Sequence, residues 1–400
     1  MKSFKLFLIA FLFSTPELNL FGFNTNTILL ILLMLFIFIR VKNINKSFIK
    51  MNLPYIFLIF YTLMLQIFIF QNTNEVEFRY VISKNLELFT ELLLVFFLFF
   101  IDKRSSIIKY NLTFFLETYF NLNIIYLILF KIYSPVFFFF HPSYTFISNR
   151  EMLLGYEPSY TVTLTFVFFL AYAFISKNKK NIFLYSILTS YCVFLGESKT
   201  MWIIFILLGL YYIINKFIYL KTKIKYILPA VILSIMIFNS YIINELEVLF
   251  GVNEIHKLSK IEQYESISKI TRLESIKKSF ELFFAQPFGY GYGYSIIEFS
   301  NYLQSSNIQS FEIMESKWTA NTPKSQFIEF LISGGIIFMF LFFRKLKFLL
   351  REIAVNDKYL YMLIPVIFTF IFIERLPYIL FFSILYVIPK INVKINKYEK

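Results

Sequence analysis

Residues 177–225 read KNKKNIFLYSILTSYCVFLGESKTMWIIFILLGLYYIINKFIYLKTKIK, and the order of these letters decides the fold. Two apolar runs, 182–195 and 201–217, are joined by the tight turn Gly196-Glu197-Ser198-Lys199-Thr200. A lysine cluster closes each far end, Lys177 to Lys180 before and Lys216 to Lys225 after. Runs of this length approach the ~20 residues that cross a bilayer as helix. Lysine-rich connections stay in the cytoplasm, so the segment reads as a hairpin of two spans with its tip outside.

The same alternation runs through all 400 residues, of which 58% are hydrophobic and 56 are Phe. Apolar blocks fall at 6–23, 27–41, 53–70, 86–101, 112–133 and 160–175, and then at 182–195, 201–217, 226–243, 326–343, 359–373 and 376–388. Lysine-rich connections at 40–50, 102–109, 177–180, 216–225 and 344–358 alternate with connections that have little positive charge. The fold class this predicts is an all-α polytopic membrane protein of about 12 transmembrane helices, with both termini cytoplasmic. If the first two blocks, interrupted by Pro16 and Glu17, make one crossing, the count is eleven and the N-terminus is outside. A β-barrel is excluded, because its strands alternate over about ten residues and these runs are continuous. The opening MKSFKLFLIAFLF has the charge and apolar core of a signal peptide but no small-residue cleavage site, so it reads as a retained first helix.

The net charge of +14 is an orientation signal, because 25 of the 39 lysines and arginines fall on the cytoplasmic side of this map. Such cations attract anionic lipid heads; nothing in their placement calls for nucleic acid. Cys192 is the single cysteine and lies in an apolar block, which leaves no disulfide framework and no thiolate metal site. His141 and His256 are too few and too far apart to suggest a metal centre, and no Walker loop or dinucleotide fingerprint occurs. No cofactor is expected.

The map divides the chain into residues 1–243, with nine spans; a large periplasmic loop, 244–324; and residues 325–400, with three spans and the C-terminus. In the loop, Ile261, Tyr264, Ile267, Ile270, Leu273, Ile276, Phe280 and Phe283 recur at steps of three and four, the mark of an amphipathic helix. Pro287-Phe288-Gly289-Tyr290-Gly291-Tyr292-Gly293-Tyr294 then reads as a glycine-interrupted turn. The loop is close to neutral, with eight Lys/Arg against ten Glu, so individual cations rather than a broad basic patch would meet an anion there.

Polar residues beside the outer span ends are the candidates for chemistry: Arg150 and Glu157 ahead of one span, Glu197 and Lys199 in the outer turn, Arg272 on the loop helix, Lys317 and Lys324 before the tenth span. Charges near membrane depth commonly mark substrate paths, and guanidinium forks suit diphosphate oxygens. Each has a structural alternative. Arg150 fits a snorkelling interfacial cation, Glu197 and Lys199 an ion pair within their turn, and Arg272 a solvated position on a surface helix. Glu87 and Glu91, one turn apart, suit a structural polar contact better than catalysis, and Glu117 and Glu329 are equally open. Tyr290, Tyr292, Tyr294 and Trp318 suit sugar stacking or an interfacial aromatic belt.

Four features together resemble the bacterial O-antigen polymerase and ligase superfamily. They are Arg150 followed by Gly155-Tyr156-Glu157-Pro158-Ser159; Gly196-Glu197-Ser198-Lys199-Thr200, with lysine where the family usually has arginine; Arg272 followed by Pro287-Phe288-Gly289-Tyr290-Gly291-Tyr292-Gly293; and Ser325-Gln326-Phe327-Ile328-Glu329 through Gly334-Gly335-Ile336. Ligases of the superfamily carry a His-Asn pair about a dozen residues before the last motif's glycine. Here Asn321-Thr322-Pro323-Lys324-Ser325 has no histidine, which favours a polymerase.

The resemblance implies a metal-independent glycosyltransferase of the bacterial inner membrane, acting on undecaprenyl-diphosphate-linked oligosaccharide, with a chain-length regulator as an accompanying partner. It implies Arg150, Glu157 and Arg272 as catalytic residues and Lys199, Glu197, Lys324 and Tyr292 as substrate-binding ones. An O-antigen ligase and a lipid-linked oligosaccharide flippase or other transporter are the alternatives. The topology has its own test. Single cysteines placed within 244–324 are expected to react with a membrane-impermeant reagent added to intact cells, and cysteines in 216–225 or 344–358 are not; the reverse pattern inverts the map.

Overall fold

The computed structural model describes residues 2–16, 18–20, 23–38, 46–68, 75–102, 104–133, 158–195, 201, 204–209, 211–212, 278–298, 325–353, 359–372 and 376–398. Its long elements are helices: α1 (Lys2–Ser14), α2 (Thr25–Phe38), α3 (Lys46–Phe68), α4 (Glu75–Val95), α5 (Ser105–Ile132), α6 (Pro158–Ile175), α7 (Lys179–Leu195), α8 (Gln326–Ile353), α9 (Leu360–Phe372) and α10 (Tyr378–Tyr398). A two-residue antiparallel pairing, β1 (Asn19–Leu20) with β2 (Phe23–Asn24), turns the chain between α1 and α2. Hence the first two apolar blocks form two separate helices, and at 13 and 14 residues each is short for a 30 Å core. Three described helices are long and apolar enough to cross a membrane, Lys46–Ile67, Ser105–Ile132 and Gln326–Ile353. The apolar helices place the chain in a membrane.

Helices outrun the apolar blocks that announce them. α5 begins at Ser105 and α8 continues to Ile353, both inside stretches expected to be loops. A helix keeps its backbone bonds wherever it goes, so its amphipathic ends extend past the apolar core into polar surroundings. α4 runs into a π-turn, Phe96–Phe100, closed by the Ile101 N–H donating to the Phe96 carbonyl at 3.0 Å. Of the amphipathic helix expected over 261–284, residues 278–285 are described, and they are helical.

The core is aromatic. Phe342 stacks on Phe370 at 5.0 Å, and Phe370 meets Tyr378 at 4.9 Å and Phe382 at 5.4 Å, joining α8, α9 and α10. Centroid separations in this range suit edge and offset contacts. In lipid such packing, rather than escape from water, holds helices together. Buried polar side chains bond mostly to their own helix: Ser14 to the Ala10 carbonyl, Thr62 to Leu58, Asn85 to Val81, Asn123 to Tyr119 and Thr189 to Tyr185. This back-bonding satisfies a hydroxyl or amide where no water is at hand.

α8 is broken in its first half. Gly335 has φ 59° and ψ −150°, so the helical ladder stops there and resumes beyond it. In an apolar surrounding the freed backbone groups need partners. The glycine turn supplies them. The Tyr290 N–H donates to the Ile332 carbonyl at 3.0 Å, the Gly291 N–H to Ser333 at 2.8 Å, and the Ile336 N–H to the Pro287 carbonyl at 2.9 Å. The two segments approach so closely that a Cβ on Gly335 would lie 2.7 Å from the Phe288 Cα, and one on Gly289 (φ 91°) 2.7 Å from the Gly335 nitrogen. Side chains from other helices complete the lacing: the Thr62 hydroxyl accepts from the Tyr292 N–H at 2.7 Å, Asn85 donates to the Tyr292 carbonyl at 3.0 Å, and Tyr61 to the Gly289 carbonyl at 3.0 Å.

Basic residues gather at one end of the bundle. Lys5 lies over Phe36, Lys50 over Phe348, and Lys390 pairs with Glu352 at 3.4 Å. The starts of α1 and α3 and the ends of α2 and α8 therefore share that end. Gly335→Ala is expected to destabilise the protein by ~1–3 kcal/mol through left-handed backbone strain alone, and further through the clash. Gly209, helical with nothing within 4 Å of an added Cβ, is the control; Gly209→Ala is expected to be neutral or stabilising by ~0.5–1 kcal/mol. Thermal unfolding of the purified variants checks both.

Candidate functional site

At the opposite end of the bundle the helices enclose a cavity of about 300 Å³. Ser14 at the end of α1, Asn26 at the start of α2, Thr161 near the start of α6, Gln326 at the start of α8 and Tyr378 at the start of α10 all border it. Among the described residues its charged and amide side chains come from α2, α4 and α8. Lys84, Glu87 and Glu91 lie on one face of α4 at steps of three and four, and Gln326 and Glu329 on the first turn of α8. The glycine turn contributes Tyr292, whose ring packs 5.4 Å from Phe330.

Each group is held by a partner. The Lys84 ammonium bonds to the Glu87 carboxylate at 2.8 Å. Gln326 donates its amide to Glu329 at 3.1 Å, and both side chains are buried. Glu91 accepts the Leu380 N–H at 2.9 Å, so its carboxyl group caps the first turn of α10, where helix amides lack intrahelical partners. Burial, and the carboxylates of Glu329, Glu87 and Glu91 around it, push the Tyr292 phenol well above its ordinary range. Tyr292 is therefore a protonated donor at neutral pH. Tyr290, in the same turn, is raised by burial and by Glu298.

Among the described residues three glutamates against one lysine make this cavity a poor host for phosphate. It suits a hydroxyl-rich ligand: carboxylates accept from hydroxyls, the Tyr292 phenol and the Gln326 amide donate, and Phe330, Tyr119 and Tyr378 offer apolar faces. Its volume sits at the lower edge of small-molecule pockets.

Of the residues singled out by sequence, Tyr292 is in this cavity. Arg150, Glu157, Glu197, Lys199, Arg272 and Lys324 lie outside the described residues, as do Lys317 and Trp318. Glu87, Glu91 and Glu329, considered chiefly for structural contacts, make those contacts and also line the cavity. Glu117 does not join them; it accepts from Tyr172 at 2.7 Å and Asn181 at 3.4 Å, elsewhere in the bundle. Lys84 escaped sequence reading, and Gln326 was named there only as part of the motif that opens α8. The signal for Lys84 was its i, i+3, i+7 relation to Glu87 and Glu91, a polar stripe on a helix beside the membrane.

The glycine turn and the broken helix lie inside a wider match. Residues 184–343 match the family model described as O-Antigen ligase. This match, over 160 of the 400 residues, supports the O-antigen polymerase and ligase superfamily. The match runs from within α7 through the long loop and past the Gly335 break, and leaves α1–α6, α9, α10 and the Arg150 segment outside it. No curated protein and no solved structure matches the chain. Members of that family are membrane enzymes of the polymerase or ligase type, and the family implies a lipid-linked oligosaccharide as substrate. Glu329→Gln keeps the shape of the side chain while removing one charge from the cavity. Glycan transfer by membranes carrying this variant is expected to fall by about 100-fold at unchanged protein level; full activity would separate the cavity from the reaction.

Proposed function

We propose that this protein is a polymerase of that superfamily, transferring a growing glycan from undecaprenyl diphosphate to the sugar of an incoming lipid-linked repeat unit at the periplasmic face. The acceptor hydroxyl attacks the anomeric carbon of the donor. A new glycosidic C–O bond forms with inversion as the bond to the diphosphate breaks, and lipid diphosphate leaves with the electron pair. The hydroxyl proton passes to a carboxylate. Arg150, Lys199 and Arg272 are assigned to the diphosphate, where fixed and partly desolvated cations stabilise the developing charge. Glu157 and Glu329 are the two candidates for the base.

The observation that carries this reading is the acidic, tyrosine-lined cavity beside the turn that closes the long loop. It divides the labour: sugar hydroxyls meet carboxylates in the cavity, and phosphate charge meets the scarce cations of the outer segments. Glu197, Lys324 and Tyr292 fit the substrate-binding role in that arrangement. The missing histidine in Asn321–Ser325 favours polymerase over ligase. The polar lining lies toward one end of the bundle rather than its middle, which favours an enzyme over a transporter.

The glycolipid profile of a deletion strain distinguishes the classes. Loss of a polymerase leaves lipid core bearing a single repeat unit, loss of a ligase leaves lipid A without O-antigen, and loss of a flippase traps lipid-linked units on the cytoplasmic face. Complementation with Arg272→Ala is expected to leave the single-unit product while the protein still reaches the membrane. Long glycan from that variant would remove Arg272 from the mechanism.

A further inference from the structure

A second cavity, of about 260 Å³, opens between α3 and α8 at the basic end of the bundle, away from the acidic site. Among the described residues its lining combines four basic side chains, Lys46, Lys50, Arg344 and Lys345, with apolar ones that include Leu53 and Leu341, and no carboxylate. Lys46, Lys50 and Arg344 are exposed at the rim, whereas Lys345 is 2% exposed at the base. We propose that this cavity binds a phosphate-bearing anion, the headgroup of an anionic phospholipid, with its acyl chains running along Ile49 and Leu53.

Lys345 is the strongest reason. A basic side chain buried in an apolar bundle is costly and persists where it is paired or serves a ligand. Its surroundings are the Tyr55 hydroxyl, on which it spends one donor at 3.1 Å, and the rings of Tyr55 and Phe382 at 4.2 and 4.4 Å. The carboxylate whose field reaches it, Glu91, is bound to the backbone of α10 in the other cavity. The hydrogen bond to Tyr55 uses one donor of the Lys345 amino group, and its other N–H groups are available to oxygens entering the cavity. The rim supplies more: Lys50 is steered over Phe348 at 4.1 Å, and among the described residues no carboxylate pairs with Lys46 or Arg344. Glu352, the carboxylate nearby on α8, is taken by Lys390.

Ile49 is 43% exposed beside these cations, so an apolar surface continues outward from the charged pocket, as a lipid tail requires and a soluble anion does not. Basic pockets between helices at this depth are suited to lipid phosphates.

Purified full-length protein in detergent, titrated with phosphatidylglycerol or phosphatidylcholine and followed by native mass spectrometry, provides the test. Phosphatidylglycerol is expected to bind in preference to phosphatidylcholine. The Lys46→Gln/Arg344→Gln variant, altered only at the exposed rim, should weaken that binding by about 30-fold, roughly fivefold per cation removed. Lys179→Gln/Lys180→Gln removes equal charge from exposed positions elsewhere and should bind as the native chain does. Equal loss in both variants, or no preference between the two lipids, would reduce the site to general surface attraction and overturn it. Displacement of phosphatidylglycerol by millimolar inorganic phosphate would overturn the lipid assignment and make the site one for a soluble anion. Neither outcome bears on the polymerase reading, which rests on the other cavity.

Discussion

A helix that breaks inside an apolar bundle must find partners for the backbone groups it releases, and that requirement organises this protein. At Gly335 the ladder of α8 opens, and Pro287, Tyr290 and Gly291 close it again through three backbone hydrogen bonds. Each unpaired group would cost several kcal/mol in hydrocarbon. The turn can come this close because glycine stands at both points of nearest approach. Once it is docked, Thr62, Asn85 and Tyr61 pin its remaining polar groups, and its place between α3, α4 and α8 is set.

From that docking the chemistry follows. Tyr292 projects from the pinned turn into a space bordered by the polar stripe of α4 and the first turn of α8. Glu329 lies one and a half turns before the break, on the half-helix that the turn holds in position. The break thus couples the end of the long loop to the acidic cavity. A change that loosened the Gly335 junction would shift Tyr292 and Glu329 together.

The two cavities are electrostatic opposites at opposite ends of one bundle. Among the described residues one is lined by three glutamates and the other by three lysines and an arginine. A carboxylate-rich pocket selects hydroxyls and rejects phosphate, whereas a cationic one does the reverse. Lysines that read in the sequence only as an orientation signal therefore also form a built pocket.

The linear chain determined a great deal by itself. Continuous apolar runs separated by lysine clusters require helices in a membrane, because no other arrangement satisfies their backbone; α6 and α7 begin and end within a few residues of their apolar blocks. The glycine turn was legible as a turn, and the family was legible from motifs around it. Which residues meet was not legible. Lys84, Glu91, Glu329 and Tyr292 are separated by up to 245 positions, and only the packing of α4, α8 and α10 brings them around one cavity. Nor do local letters reveal that Gly289 and Gly335 serve one junction. Periodicity reports what a single helix needs, whereas hydrogen bonds between distant backbones and charges across a cavity exist only once the chain is folded.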